Sequence, residues 1–126
     1  MRVSFLGGGN MAAALIGGMV KRGFSAAAIQ VVELVPEARA RLTAQFGVRC
    51  AAVADDSALA CDVLVLSVKP QQLREALLPL AGRLERQLVV SIAAGVRVAD
   101  IARWLGGYRH IVRAMPNMPA LVGAGI

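Results

Sequence analysis

Val3-Ser4-Phe5-Leu6-Gly7-Gly8-Gly9-Asn10-Met11-Ala12 is the stretch that decides the fold. A short, β-rich run stops at Gly7, the first of three consecutive glycines, and an Ala/Leu/Ile/Met-rich segment then continues to Lys21. Gly7, Gly9 and Ala12 occupy the three small positions of a G-x-G-x-x-G/A spacing. Gly7 permits the tight turn out of the strand. Gly9 carries no Cβ, so a pyrophosphate can approach the backbone. Ala12 is small enough for the helix to pack closely on the strand. The free N–H groups at the helix start, near Asn10 and Met11, then point at an anion. A G-x-G-x-x-A alone is weak; lying between a strand and a helix, it has the context that gives it meaning.

Outward from this loop, strand-like and helix-like segments alternate. Expected strands are Val3–Leu6, Ile29–Val32, Val48–Cys50, Val63–Leu66, Leu88–Ile92 and Ile111–Ala114. Between them, helices are expected over Asn10–Lys21 (buried on most faces), Pro36–Gln45, Ser57–Ala60, Pro70–Leu80 and Val98–Leu105. Pro36 and Pro70 start their helices, while Gly23, Gly47 and Gly106 end theirs. Asp55 and Asp56 are placed to cap the short one. Val63-Leu64-Val65-Leu66 has no polar alternation, as a strand buried on both faces requires. Strands and helices in this rhythm make βαβ units with right-handed crossovers. The fold expected is α/β: a Rossmann-like, doubly wound, mostly parallel sheet with helices on both faces.

Composition agrees with one such domain over residues 1–126. Hydrophobic residues are 57% and charged residues 17%, far from a disordered chain. Folding at this length buries roughly two-thirds of the surface. Two cysteines, Cys50 and Cys61, do not make a disulfide scaffold and have no metal-ligand spacing, so no metal is expected. Mean hydropathy is +0.62, yet no charge-free run of about 18 apolar residues occurs. With no membrane span and no leader pattern, a reduced cytoplasmic setting is expected. The net charge of +6 invites a nucleic-acid reading. The basic residues are scattered, however, and aromatics are 4%, too few for base stacking. The charge also suits a protein that binds phosphorylated small molecules, and equally a solvated basic surface with no ligand role. Gly123-Ala124-Gly125-Ile126 end the chain with no polar tail and no closing element, as a first domain of a longer protein would.

Further candidates lie where the other strands end. Glu33 follows Ala12 by 21 residues and closes the second strand. An acidic side chain there accepts hydrogen bonds from adenosine ribose hydroxyls and repels the extra phosphate of NADP. Arg39 and Arg41, on the next helix, offset part of that charge. Ser67-Val68-Lys69-Pro70 and Ala93-Ala94-Gly95 follow the fourth and fifth strands and face the same edge. Lys69, one of two lysines against twelve arginines, sits at a helix start where the dipole disfavours it, which points to a phosphate or ribose partner. Ala93 and Ala94 offer a flat surface to a nicotinamide ring. His110 reads as a surface histidine, Trp104 as packing, and the two cysteines as core or near-core thiols. No Ser/His/Asp set or close carboxylate pair suggests hydrolysis.

Together these motifs resemble the N-terminal half of pyrroline-5-carboxylate reductases. The resemblance rests on Phe5 to Ala12, Val68-Lys69-Pro70-Gln71, Ser91-Ile92-Ala93-Ala94-Gly95, and Val112-Arg113-Ala114-Met115-Pro116-Asn117-Met118-Pro119. It implies reduction of the C=N bond of 1-pyrroline-5-carboxylate to L-proline by NAD(P)H, the last step of proline biosynthesis. It also implies a helical second domain, absent from these residues, that pairs subunits into a homo-oligomer and supplies most of the substrate pocket. No catalytic residue is therefore carried over. Cofactor contacts are expected from Leu6, Gly7, Gly8, Gly9, Asn10, Met11, Glu33, Val68, Lys69, Pro70, Ala93 and Ala94. The cofactor is NAD(H) or NADP(H), with NADH slightly favoured; no nucleic acid or membrane partner is expected. Three positions depart from the family pattern. Met118 replaces a threonine, Glu33-Leu34 lacks a phosphate-binding arginine, and Asp55 and Asp56 stand near Ala54 where some relatives have asparagine. Two other readings stay open: a deazaflavin-linked NADP oxidoreductase, and a non-catalytic dinucleotide-binding module.

Overall fold

The structure is a computed structural model that describes residues 1–114. Among these described residues, six strands alternate with five helices: β1 (Val3–Leu6), α1 (Asn10–Lys21), β2 (Ile29–Val32), α2 (Pro36–Phe46), β3 (Arg49–Ala51), α3 (Asp56–Leu59), β4 (Val63–Leu66), α4 (Pro70–Leu77), β5 (Leu88–Ser91), α5 (Val98–Trp104) and β6 (Ile111–Arg113). The sheet order is β3-β2-β1-β4-β5-β6, and every neighbouring pair is parallel. The chain winds outward from β1 to β3, returns to the other side of β1, and winds outward again. This is the doubly wound topology, with its crossover point between β1 and β4.

Period-2 alternation divides the core between the two faces. Val3 and Phe5 of β1, Ile29 and Val31 of β2, and Val65 of β4 pack against Ala12 and Ile16 of α1 and Leu42 of α2. Leu6, Val32, Leu64 and Leu66 point the other way, toward Leu73 and Leu77 of α4 and Ile101 of α5. Two buried polar side chains on that second face have backbone partners. Ser4 Oγ donates to the Ala58 carbonyl (2.5 Å), and Gln30 Nε2 donates to that of Ser57 (3.0 Å). They attach the short α3 to the sheet.

Several local features differ from the expected ones. Of α1, only Ala12 and Ile16 are fully buried; one stripe meets the sheet, Met11 is exposed and the other apolar positions stay half covered. The third strand runs one residue later, Arg49–Ala51, because its ladder with β2 begins at Gln30↔Arg49. Val48 is buried ahead of it. The helix from Pro70 ends at Leu77 and tightens into a 3-10 turn over Leu78–Leu80. Pro79 has no N–H with which to continue the α-helical ladder. Asp55 caps α3, its Oδ1 accepting the Ala58 amide at 2.8 Å. No described helix is long and apolar enough to cross a membrane.

Candidate functional site

The carboxyl ends of β1, β2 and β4 meet at the crossover point, and the glycine loop lies among them. Gly7 adopts φ +105°, its N–H donates to the Val32 carbonyl (2.8 Å), and its missing Cβ makes room for Val68. Gly8 is buried against Leu42 and Val31. Gly9 is exposed; a Cβ there would meet nothing within 4 Å. It precedes α1 in extended conformation (φ −80°, ψ −162°) and contributes no side-chain cap. The first turn of α1 holds no acidic residue, so its leading amides and the positive end of its dipole have no counter-charge from within the helix. Asn10 and Met11 are exposed at this end.

Beside the loop lies a cleft of about 590 Å³. Leu6, Gly7 and Val68 form its inner end. Val32-Glu33-Leu34-Val35 and Ala52-Val53-Ala54 form one side, and Gln72, Glu75, Ala76 and Pro79 the other. Leu34 and Val53 are 78% and 65% exposed, an apolar rim at the mouth. Arg83 spans the opening: its Nη2 donates to the Ala54 carbonyl (3.0 Å) and lies 3.4 Å from Asp56 Oδ1.

Glu33 sits at the end of β2 as expected, but it already has partners. Oε1 accepts the Gly8 N–H at 2.7 Å and Oε2 accepts the Val35 N–H at 2.9 Å. Each oxygen keeps acceptor capacity toward the cleft. Arg39 is held back at the turn, its Nη1 donating to the carbonyls of Glu33 (2.7 Å) and Leu34 (3.0 Å). Arg41 is exposed.

The later loops divide. Val68 lines the cleft, while Lys69 is exposed as the residue before α4 and Pro70 is the first residue of that helix. Ala93 is 4% exposed and belongs to the core beneath α4 and α5, so of that pair only Ala94 presents its methyl group. His110 lies at the opposite edge of the sheet, before β6, its Nδ1 3.2 Å from the Arg86 carbonyl. Trp104 packs half-buried against the core, and both cysteines are free. Burial pushes the Cys61 thiol above its ordinary range. Residues 115–119 lie outside the described residues. Ser67 follows directly on β4. Its Oγ donates to the Gly7 carbonyl (2.7 Å), and its only signal is a hydroxyl directly after an all-apolar strand. Arg83 had no local signal at all.

The sequence model of a family described as NADP oxidoreductase, coenzyme F420-dependent, matches residues 2–95. The pyrroline-5-carboxylate reductase of Pseudomonas aeruginosa is 43% identical over 98% of this chain and 46% of its own length. That of Escherichia coli is 41% identical over 99% and 47%. The solved structure of the Coxiella burnetii pyrroline-5-carboxylate reductase superposes with a TM-score of 0.88 at 36% identity, over 96% of this chain and 46% of that one. The chain thus spans about half the length of the curated relatives it matches. A parallel sheet of this order, a glycine loop at its crossover point and the match over residues 2–95 lead to one conclusion: the chain belongs to the NADP oxidoreductase, coenzyme F420-dependent, family of nicotinamide-linked oxidoreductases.

Proposed function

We propose that this chain is the cofactor-binding half of a pyrroline-5-carboxylate reductase. The observation that carries the cofactor assignment is the α1 N-terminus. It is uncapped, preceded by the open Gly9, and adjoined by a cleft with an apolar rim and the Glu33 carboxylate. An extended dinucleotide fits that arrangement. The amides that begin α1 receive the pyrophosphate. The cleft takes the adenosine, with Glu33 accepting from ribose hydroxyls. Val68-Lys69-Pro70 and Ala94 face the nicotinamide half. When bound, the reduced nicotinamide supplies the hydride for the imine carbon, and a proton reaching the ring nitrogen completes the amine. These residues bind and orient; a second, helical domain positions the imine and pairs two subunits. The substrate assignment rests on the relatives that cover nearly the whole chain.

The cofactor favoured is NADH. Two backbone N–H groups hold the Glu33 carboxylate, so a 2′-phosphate finds a fixed negative charge, and Arg39 is engaged with carbonyls. The basic surface is scattered and serves neither nucleic acid nor membrane, and the setting is cytoplasmic.

The test is a steady-state assay of the longer protein that carries this chain. NADH oxidation should depend on added pyrroline-5-carboxylate and yield proline. Residues 1–126 alone should bind NADH yet turn over negligibly, because reaction needs the partners held ~3–3.5 Å apart. Reduction of coenzyme F420 with no turnover of the imine would overturn the substrate assignment.

A further inference from the structure

The Gly7–Gly8 peptide is gripped from both sides. Its carbonyl, on Gly7, accepts the Ser67 Oγ–H at 2.7 Å, the shorter of that hydroxyl's two contacts, the Leu6 carbonyl lying at 3.2 Å. Its amide, on Gly8, donates to Glu33 Oε1 at 2.7 Å. The two grips come from different strand ends, β4 and β2, on either side of β1. A bond between two glycines has few steric restraints on its orientation. Rotated by half a turn, this peptide would set its carbonyl against the Glu33 carboxylate, acceptor against acceptor, and its N–H toward Ser67 Oγ, which could accept it only by turning its own proton to the longer contact with the Leu6 carbonyl (3.2 Å). We infer that Ser67 is a positioning residue for the cofactor. Acting with Glu33, it fixes the Gly7–Gly8 peptide plane and thereby the direction in which Gly9 and the first amides of α1 present themselves to the pyrophosphate. Ser67 also joins β1 independently of its hydroxyl, through its N–H to the Leu6 carbonyl (2.9 Å), so the residue stays in place when the hydroxyl is removed.

This inference rests on the dinucleotide reading above, and the experiment separates the two. Ser67→Thr and Ser67→Val have nearly equal bulk and differ in the hydroxyl. NADH affinity of the full chain is measured by calorimetry for the parent and both variants, and the Gly8 amide is followed by ¹⁵N NMR without ligand. The parent and Ser67→Thr should bind alike. Ser67→Val should bind about five- to tenfold more weakly, the scale of one neutral hydrogen bond, and its Gly8 resonance should shift or broaden. A Ser67→Val variant that binds NADH as tightly as Ser67→Thr, with an unchanged Gly8 amide, overturns the positioning role and leaves the cofactor reading intact. A parent that binds no dinucleotide overturns both. If Ser67→Val does not fold, Ser67→Ala replaces it with the same two readouts.

Discussion

Gly7 and Val68 meet backbone to backbone at the crossover point: a Cβ on Gly7 would lie 2.7 Å from the Val68 nitrogen and 2.8 Å from its Cγ1. The first turn of the glycine loop is thus a packing element between β1 and β4 as well as part of a ligand site. Gly9, two residues on, faces open space.

The two glycines should therefore fail in opposite ways. Gly7→Ala combines a strained positive φ with a clash against backbone, and should cost about 2–5 kcal/mol in urea unfolding. Gly9→Val keeps an ordinary extended conformation and should change stability by no more than about 1 kcal/mol. Calorimetry should nonetheless find its NADH binding abolished, because the side chain occupies the pyrophosphate's place. Normal binding by Gly9→Val would show that the ligand does not cross this loop.

Gly8 and Leu42 should be energetically coupled. A Cβ on Gly8 would come within 2.8 Å of Leu42 Cδ1, and Leu42 is fully buried. Gly8→Ala should cost about 1–3 kcal/mol from overpacking, and Leu42→Ala about 2–5 kcal/mol from the cavity. Together they should cost at least about 1 kcal/mol less than the sum, as residues in contact do. A strictly additive double-mutant cycle would mean that Gly8 is limited by its other neighbours, Val31 and Glu33.

Cofactor choice should turn on the end of β2. The parent should bind NADH about tenfold more tightly than NADPH, which needs only ~1.4 kcal/mol. Glu33→Ser with Leu34→Arg should move the preference toward NADPH by removing one charge and adding its opposite at an exposed rim. Comparing the two affinities in both proteins checks this. A parent that prefers NADPH would mean that the phosphate is anchored away from Glu33.

Stability should decline in alkali. Burial raises the Cys61 thiol above its usual 9.0, and desolvation raises the Tyr108 phenol above 10.0, with the Cys61 charge adding to it. Both groups are held neutral in the fold, so the unfolded chain loses these protons first. Their contribution is complete below about pH 9 and fades as pH rises through the folded-state values. Urea midpoints measured from about pH 8 to 11 should fall, and Cys61→Ala should flatten the lower part of that decline. An unchanged slope in Cys61→Ala would assign the loss to other groups.

The order of elements was legible because it is carried by short-range signals: apolar runs for strands, prolines at helix starts, glycines at helix ends. The small residues Gly7, Gly9 and Ala12 signalled a close approach at their spacing, and Glu33 stood at the predicted strand end. What local patterns do not carry is the outcome of competition among partners. Ala93 reads as a small residue in a turn, yet its methyl is claimed by the core. Arg39 reads as a helix cation that offsets part of the Glu33 charge, and the carbonyls of its own turn engage it. The sequence by itself determined the alternation of elements, and with it a parallel doubly wound sheet and the place of the glycine loop. Only the tertiary structure decided that Ser67 and Glu33 hold the same peptide and that Arg83 spans the cleft. Those contacts join residues 25 to 60 positions apart. Hydrophobic periodicity places each element on its own, whereas a hydrogen bond between loops depends on strand order and register, which exist only once the sheet has assembled.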